Sequence, residues 1–442
     1  MAVRSTVDAP VSVFDVGIDD KVRVSSAVGL GIQNILGMAG LLIFPALIGT
    51  AFKLSAGDTA YLYGVTFMTS GLVVILQSVL LLRLPIIQGP YAGSLAALLA
   101  VGHGPGGLGA AFGSMTVAGL IWCVLAVPAR RFGPVAYLAR FVRDPIICGV
   151  LVLTLATQLT STALPNWIGT PNSPGFPWVN VVAGGVAAAL VIALTLLPKG
   201  TLLRRGAVLV AVIAGTLVYA LLAPTSFAAV GENLGVTVPT PFPFGFAVRG
   251  DLVLIFFVTL LPAVAESIAT YDIVARWGGQ ELSGHRVAQG VFGEVLGSTV
   301  GAVFGGMSTL AYPDNIGLLR VTKVGSRYVT LATGVILLVL GGLGPFDRLL
   351  QAIPLPVLAA AGTVLFGVLF ASAIDVLSDV HWSRDNLILV GFPFITSIGG
   401  LFVPASTLNA MPTVVQLVLG QPLILGTVLL VVLKLAFTLR RD

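Results

Sequence analysis

The sequence has 442 residues, of which 57% are hydrophobic and only 9% charged, with 23 basic against 18 acidic side chains. An ordinary soluble domain carries about 25% charged residues, so a soluble enzyme and a disordered chain are both excluded. The basic residues behind the net charge of +5 are scattered, which gives no indication of nucleic-acid binding, and mean hydropathy is +1.03.

Residues 1–23 are polar, contain Asp8, Asp15, Asp19 and Asp20, and lack the apolar stretch of a cleavable signal, so they read as a cytoplasmic tail. Fourteen hydrophobic segments follow, near 24–44, 59–82, 88–101, 108–128, 144–164, 178–197, 206–223, 250–275, 287–304, 311–324, 327–344, 352–376, 386–404 and 411–438. Apolar runs of about twenty residues predict membrane helices, whereas a β-barrel would show alternating segments of about ten. The third and tenth segments are too short to span as plain helices. Both open on Gly/Pro-rich stretches, Pro85-Ile86-Ile87-Gln88-Gly89-Pro90-Tyr91 and Gly305-Gly306-Met307-Ser308-Thr309-Leu310-Ala311-Tyr312-Pro313.

Charge sorting supports this count. With the N-terminus inside, Lys53, Arg249 and Arg348 fall outside and the other 20 basic residues fall inside. Fourteen spans divide into seven and seven, and an odd number per half inverts the second repeat. The short segments are then the third of each half, and paired broken helices are the best sequence pointer to a substrate site. Pro224, Pro239, Pro241 and Pro243 mark 224–249 as the linker between halves. Cys123 and Cys148 both lie in apolar runs, which argues against a disulfide framework. His103, His285 and His381 fall in predicted loops, so no intramembrane His or Cys cluster suggests an enzyme or a metal site, and no cofactor is expected.

Three carboxylates stand at depth: Glu266 in segment eight, Glu294 in segment nine and Asp314 at the break opening segment ten. Such groups are costly in a bilayer and mark function by default. A carboxyl in an apolar setting can carry a proton at neutral pH, the physical basis of proton coupling. Glu266 and Asp314 are the expected functional, proton-coupling carboxylates. Glu294, on a helix with Gly290, Gly293, Gly297 and Gly301, reads instead as a helix-packing carboxylate.

The stretch Asp314-Asn315-Ile316-Gly317-Leu318-Leu319-Arg320-Val321-Thr322-Lys323 resembles the signature of the nucleobase–ascorbate transporter family, in which Asn315, Gly317, Thr322 and Lys323 match motif positions. Gly31-Ile32-Gln33-Asn34 resembles the family's Gly-Leu-Gln-His, Glu266-Ser267-Ile268 its eighth-helix motif, and Ile353-Pro354-Leu355-Pro356-Val357-Leu358 its twelfth. The resemblance implies an all-α, polytopic protein of seven-plus-seven inverted repeats. In it the third and tenth segments pair a short strand with a half-helix. It implies a core domain (24–131 and 250–344) sliding against a gate domain (140–223 and 352–438), which supplies a dimer interface. The implied activity is import of a nucleobase such as uracil, xanthine or uric acid across the plasma membrane, by symport with protons rather than sodium. The same-fold alternative is an anion transporter or uncoupled permease, a group that typically lacks acidic residues at the positions of Glu266 and Asp314.

A base edge alternates N–H donors and C=O acceptors, which a carboxyl or amide can match in pairs. Gln33, Asn34, Glu266 and Asp314 are the implied polar contacts, Tyr91 and Tyr312 the candidate stacking rings, and Ala92 and Pro313 the neighbours shaping the pocket. Several differences from the family pattern affect chemistry, Asp314 being one methylene shorter than the commoner Glu or Gln. Asn34 replaces a His and cannot titrate. Thr270 replaces a His or Asp four residues after Glu266. Ala92 replaces an aromatic residue. Pro313 removes one backbone donor.

Overall fold

The computed structural model describes residues 12–36, 38, 40–127, 144–171, 173–198, 201–223, 235–312, 319, 322–378, 380–411, 413–420 and 422–439. It is mostly helical. The first half comprises α1 (Val24–Leu36), α2 (Gly40–Ala51), α3 (Ala56–Ile75, extended by one π-helical turn over Leu76–Leu80), β1 (Gln88–Pro90), α4 (Ala92–Val101), α5 (Gly107–Ala126), α6 (Pro145–Ile168), α7 (Trp178–Thr195) and α8 (Ala207–Leu222). The second comprises α9 (Gly250–Trp277), α10 (Gly284–Val303), β2 (Thr309–Ala311), α11 (Arg327–Gly342), α12 (Gly344–Gln351), α13 (Leu355–Ser378), α14 (Arg384–Gly399), α15 (Thr413–Gly420) and α16 (Pro422–Leu439).

Helix starts follow their capping residues. Ser55, Asp144, Ser283, Ser326 and Ser383 precede α3, α6, α10, α11 and α14, and each side chain accepts a first-turn backbone N–H that the helix cannot satisfy itself. Among the described residues, seven spans are long and apolar enough to cross a membrane: Ala56–Leu80, α5, α6, α7, α9, α13 and Arg384–Phe402. The pair α1–α2, bent by 41°, makes an eighth. The first apolar segment, read from sequence as 24–44, thus continues to Ala51 through Pro45, which lies inside α2. The remaining apolar helices are shorter, α4, α8, α11 and Pro422–Phe437 among them.

The packing recurs between halves. Helix α3 lies on α11, and α5 on α10. Helix α1 also lies on α11, and α9 on α5. Helix α7 meets α8 and α13, and α14 meets α16 and α6. In a membrane the hydrophobic effect does not drive helices together, so close approach through small residues supplies the contact. The α3–α11 seam shows this reciprocally. A Cβ on Gly71 would lie 2.6 Å from the Gly334 carbonyl, and one on Gly334 2.8 Å from the Gly71 carbonyl. Gly64 and Gly341 repeat the arrangement two turns away, at 2.8 and 2.5 Å.

Buried apolar side chains gather in three clusters. One joins Trp122 of α5, Leu260, Val264 and Ile268 of α9, and Val291 and Val295 of α10. Another joins Ile147 and Val150 of α6, Ala373 of α13, Leu389 of α14 and Leu430 of α16. The largest includes Ile43 and Phe44 of α2 with Val357, Leu358 and Phe366 of α13.

Candidate functional site

Among the described residues the one sheet is β1 paired antiparallel with β2, in the register Gln88–Ala311, Gly89–Leu310 and Pro90–Thr309. All six residues are buried. Non-helical backbone at membrane depth survives only where protein satisfies its polar groups, and here it does. Tyr91 N–H donates to the Ser308 carbonyl at 2.7 Å and Tyr312 N–H to the Ile87 carbonyl at 2.9 Å, extending the ladder at both ends. The outward N–H groups of β2 are met by hydroxyls, Thr309 by Ser298 of α10 at 2.9 Å and Ala311 by Ser267 of α9 at 3.0 Å.

Two tyrosines close the crossing. The Tyr312 ring lies over Gly89, where any Cβ would strike it, and its hydroxyl donates to the Pro90 carbonyl at 3.0 Å. Tyr91 is buried, packs over Gly93, and immediately precedes α4. The first-turn N–H groups of α4 therefore begin at the strand crossing, a donor-rich end with a favourable dipole for a carbonyl oxygen.

Behind the strands lies a polar network in which Gln77, Gln88, Tyr271 and Glu294 are each no more than 1% exposed. Tyr271 Oη donates to Glu294 Oε2 at 2.8 Å. Gln88 Nε2 donates to Glu294 Oε2 at 3.3 Å and lies 3.5 Å from Tyr271 Oη. Gln77, on the π turn ending α3, donates to the Gly290 carbonyl at 2.6 Å and approaches Tyr271 Oη at 3.4 Å. Small residues on α10 make this possible: a Cβ on Gly290 would lie 2.7 Å from the Tyr271 ring, and one on Gly293 would lie 3.1 Å from Gln77 Oε1. The network ties β1, α3, α9 and α10 together. Among the described residues no group of three His, Cys, Asp or Glu side chains could hold a metal ion.

The sequence matches the family described as the permease family over residues 25–406. The chain belongs to that family. It is 26% identical to the uric acid transporter UacT of Escherichia coli (strain K12), over 92% of this chain and 85% of that protein. It is 28% identical to the uric acid permease PucK of Bacillus subtilis (strain 168), over 92% and 94%, and 28% identical to the xanthine permease XanP of Escherichia coli (strain K12), over 95% and 94%. Among solved structures, the transmembrane domain of a cyanobacterium bicarbonate transporter, BicA, superposes with TM-score 0.55 at 15% identity, covering 95% of this chain and 99% of that one. Murine Slc26a9, an anion transporter in the inward-facing state, superposes with TM-score 0.61 at 12% identity, covering 95% and 69%. Those two likenesses show a shared fold. Family membership bears out the resemblance read from the motifs and makes the protein a multi-pass membrane permease, not an enzyme.

In this permease Glu266 is half-buried on α9, next to the Ser267 that anchors β2. Ala92 opens α4 and Tyr312 follows β2, so Glu266, Tyr91, Ala92 and Tyr312 all lie on the strand crossing or on elements joined to it. Asn34 lies elsewhere in the bonding pattern: buried on α1, it donates to Thr333 Oγ1 of α11 at 3.0 Å and so links two helices. Gln33 is half-buried on α1. Pro313, Asp314, Asn315 and Gly317 lie outside the described residues. Thr322 and Lys323 are described, and Lys323 has φ of 52°, in the left-handed region. Thr270 is buried on α9.

Sequence reasoning did not single out Gln77, Gln88 or Tyr271. The available signal was an amide or phenol at membrane depth, Gln88 within the Gly/Pro-rich break itself. The contacts of Gln77 and Gln88 with Tyr271 and with α10 span sequence separations near 200 residues and leave no local trace.

Proposed function

We propose that the protein imports a nucleobase, a purine such as xanthine or uric acid or the pyrimidine uracil, across the plasma membrane by proton symport. The observation carrying this reading is the buried strand crossing, where the start of α4 and the tyrosines at 91 and 312 adjoin the helix bearing Glu266, in a chain of the permease family. Its relatives named for uric acid and xanthine support the same substrate class. A base edge presents both N–H and C=O groups. In this reading Glu266 and Asp314 accept the N–H groups, the α4 N-terminal amides donate to a carbonyl, and an aromatic ring covers the base face.

The two carboxylates carry the coupled proton, since Asn34 and Thr270 cannot. Fourteen segments form two inverted halves with both termini in the cytoplasm. A core of segments 1–4 and 8–11 slides as an elevator against a gate of segments 5–7 and 12–14, through which two copies associate. The separate apolar clusters around α9–α10 and around α6–α13–α14 support this division.

Competition binding on purified protein tests the reading, using uracil, xanthine, uric acid, adenine, guanine and hypoxanthine against a labelled xanthine probe and, separately, a uracil probe. The expected result is displacement by a subset of oxidised purines or by uracil. Silence across the panel, with bicarbonate or sulfate bound instead, overturns it.

A further inference from the structure

The N-terminal residues read from sequence as a plain polar tail, yet residues 13–20 are built into the molecule. Val13 N–H donates to the carbonyl of Trp277, the last residue of α9, at 2.7 Å. Asp15 N–H donates to the Lys323 carbonyl at 2.8 Å, and Gly325 N–H to the Val16 carbonyl at 2.9 Å, so that Val16 and Val324 form a parallel bridge. Arg327 N–H donates to the Ile18 carbonyl at 2.9 Å, and Ser326 Oγ to the Asp20 carbonyl at 2.5 Å.

Side chains secure this backbone pairing. Phe14 is 7% exposed and Ile18 4%, and both join the cluster around α9 and α10. Each fills a space that a glycine leaves open. A Cβ on Gly325 would strike the Phe14 ring, and one on Gly278 would strike Ile18 Cδ1. Arg327 Nε pairs with Asp19 Oδ1 at 2.7 Å, while the Asp15–Lys323 pair at 3.9 Å is solvent-exposed and contributes little.

The two docking points have functional addresses. Trp277 ends the helix that carries Glu266, eleven residues or roughly 16 Å along the axis. Residues 323–327 join the signature stretch 314–323 to α11. The segment therefore bridges α9, which carries Glu266, and residues 323–327, which follow the signature stretch in sequence.

We propose that residues 13–20 form an intramolecular strap that holds the end of α9 in register with the end of segment ten, and that Phe14 and Ile18 are positioning residues for substrate binding. The effect on binding rests on the proposed nucleobase site; the mechanical part does not. A contiguous packed and hydrogen-bonded connection of this kind is what transmits a change between elements.

The test uses the full-length Phe14→Ala/Ile18→Ala variant, with Val13→Pro as a milder second variant that removes the bond to Trp277. Hydrogen exchange at Asp15, Val16, Gly325 and Arg327 reads docking, and exchange at the last turn of α9 and at 322–327 reads the mechanical effect without any substrate. Base uptake in proteoliposomes gives KM and kcat separately. The expected result is faster exchange at all these sites, with KM raised about fivefold or more and kcat little changed. Phe14→Leu/Ile18→Val should restore wild-type KM. Released strap amides with unchanged exchange at the α9 end and unchanged KM would overturn the proposal. So would strap amides that already exchange freely in the wild type. If the wild-type protein carries no base, the nucleobase reading fails, and the exchange at α9 and 322–327 still decides the strap.

Discussion

Tyr271 shows how much one hydroxyl can organise at membrane depth. Its oxygen donates to Glu294 and lies within reach of the Gln77 and Gln88 amides, so α9, α10, the π turn of α3 and β1 all meet at that atom. Removing one partner of a buried hydrogen bond costs about 1–3 kcal/mol, because the abandoned partner retains its desolvation cost. Tyr271→Phe should lower stability by about that amount, read as a drop in thermal midpoint in detergent. Glu294→Leu combined with Tyr271→Phe closes a double-mutant cycle, and a coupling near zero would remove the bond from the account. Glu266 belongs to a different prediction. Glu266→Gln should fold normally and lose accumulation of base driven by a pH gradient; unchanged uptake in proteoliposomes would release Glu266 from coupling. The two acids also differ in what the sequence disclosed. Both were visible as carboxylates at depth, and Glu294 was read as a packing group. Its hydrogen bonds agree with that reading, but only the fold brings Gln88 to it from 206 residues away.

At the scale of elements, the breaks in segments three and ten were legible because Gly and Pro cannot continue a helix and the remaining apolar run is too short to span. The pairing of β1 with β2 was not legible, since register depends on hydroxyls supplied by α9 and α10. The linker was legible as proline-rich, but not where it docks. Residues 235–249 run across the ends of several helices: Thr237 N–H donates to the Gly342 carbonyl at 3.0 Å, Phe242 N–H to the Val303 carbonyl at 2.7 Å, and Ala247 N–H to the Gly109 carbonyl at 3.3 Å. The short helix α12 meets this linker through Asp347, whose Oδ2 accepts from Thr237 Oγ1 at 2.5 Å. Burial pushes the Asp347 carboxyl up to about 7, with the Thr237 bond acting in the opposite direction. The folded protein then holds a proton that the unfolded chain releases near pH 4. The stability from this group is complete below that pH and is lost as pH rises through about 7. Thermal unfolding between pH 5 and 8 should therefore show a falling midpoint in the wild type and a flatter profile in Asp347→Asn, with the variant the more stable at pH 8. Parallel profiles for the two proteins would show that Asp347 is not the group responsible.

For the molecule as a whole, scarcity of charge was the most informative property of the sequence. It excluded a soluble protein, and the sorting of basic residues is the ground for the proposed order of spans, because moving a cation across a bilayer is costly enough to constrain every loop. What hydropathy could not supply was which helices share a face: an apolar residue facing lipid and one facing a neighbouring helix look alike in sequence. The seam between α2 and α13 is such a case. Phe44 and Phe366 stack there with ring centroids 6.5 Å apart, and a Cβ on Gly362 would lie 3.2 Å from Ile43 Cγ2. In the proposed elevator, α2 moves with the core and α13 stays with the gate, so this contact must slide during each cycle. Cysteines at positions 43 and 362 fall near the Cβ separation a disulfide needs, about 3.5–4.5 Å. Ile43→Cys/Gly362→Cys, made in a Cys123→Ser/Cys148→Ser background, should cross-link under mild oxidant and stop uptake, and a reductant should restore it. Mass spectrometry of the oxidised protein measures how much is bridged. Full uptake by fully bridged protein would mean that α2 and α13 move together, and the line between moving and fixed domains would have to be drawn elsewhere.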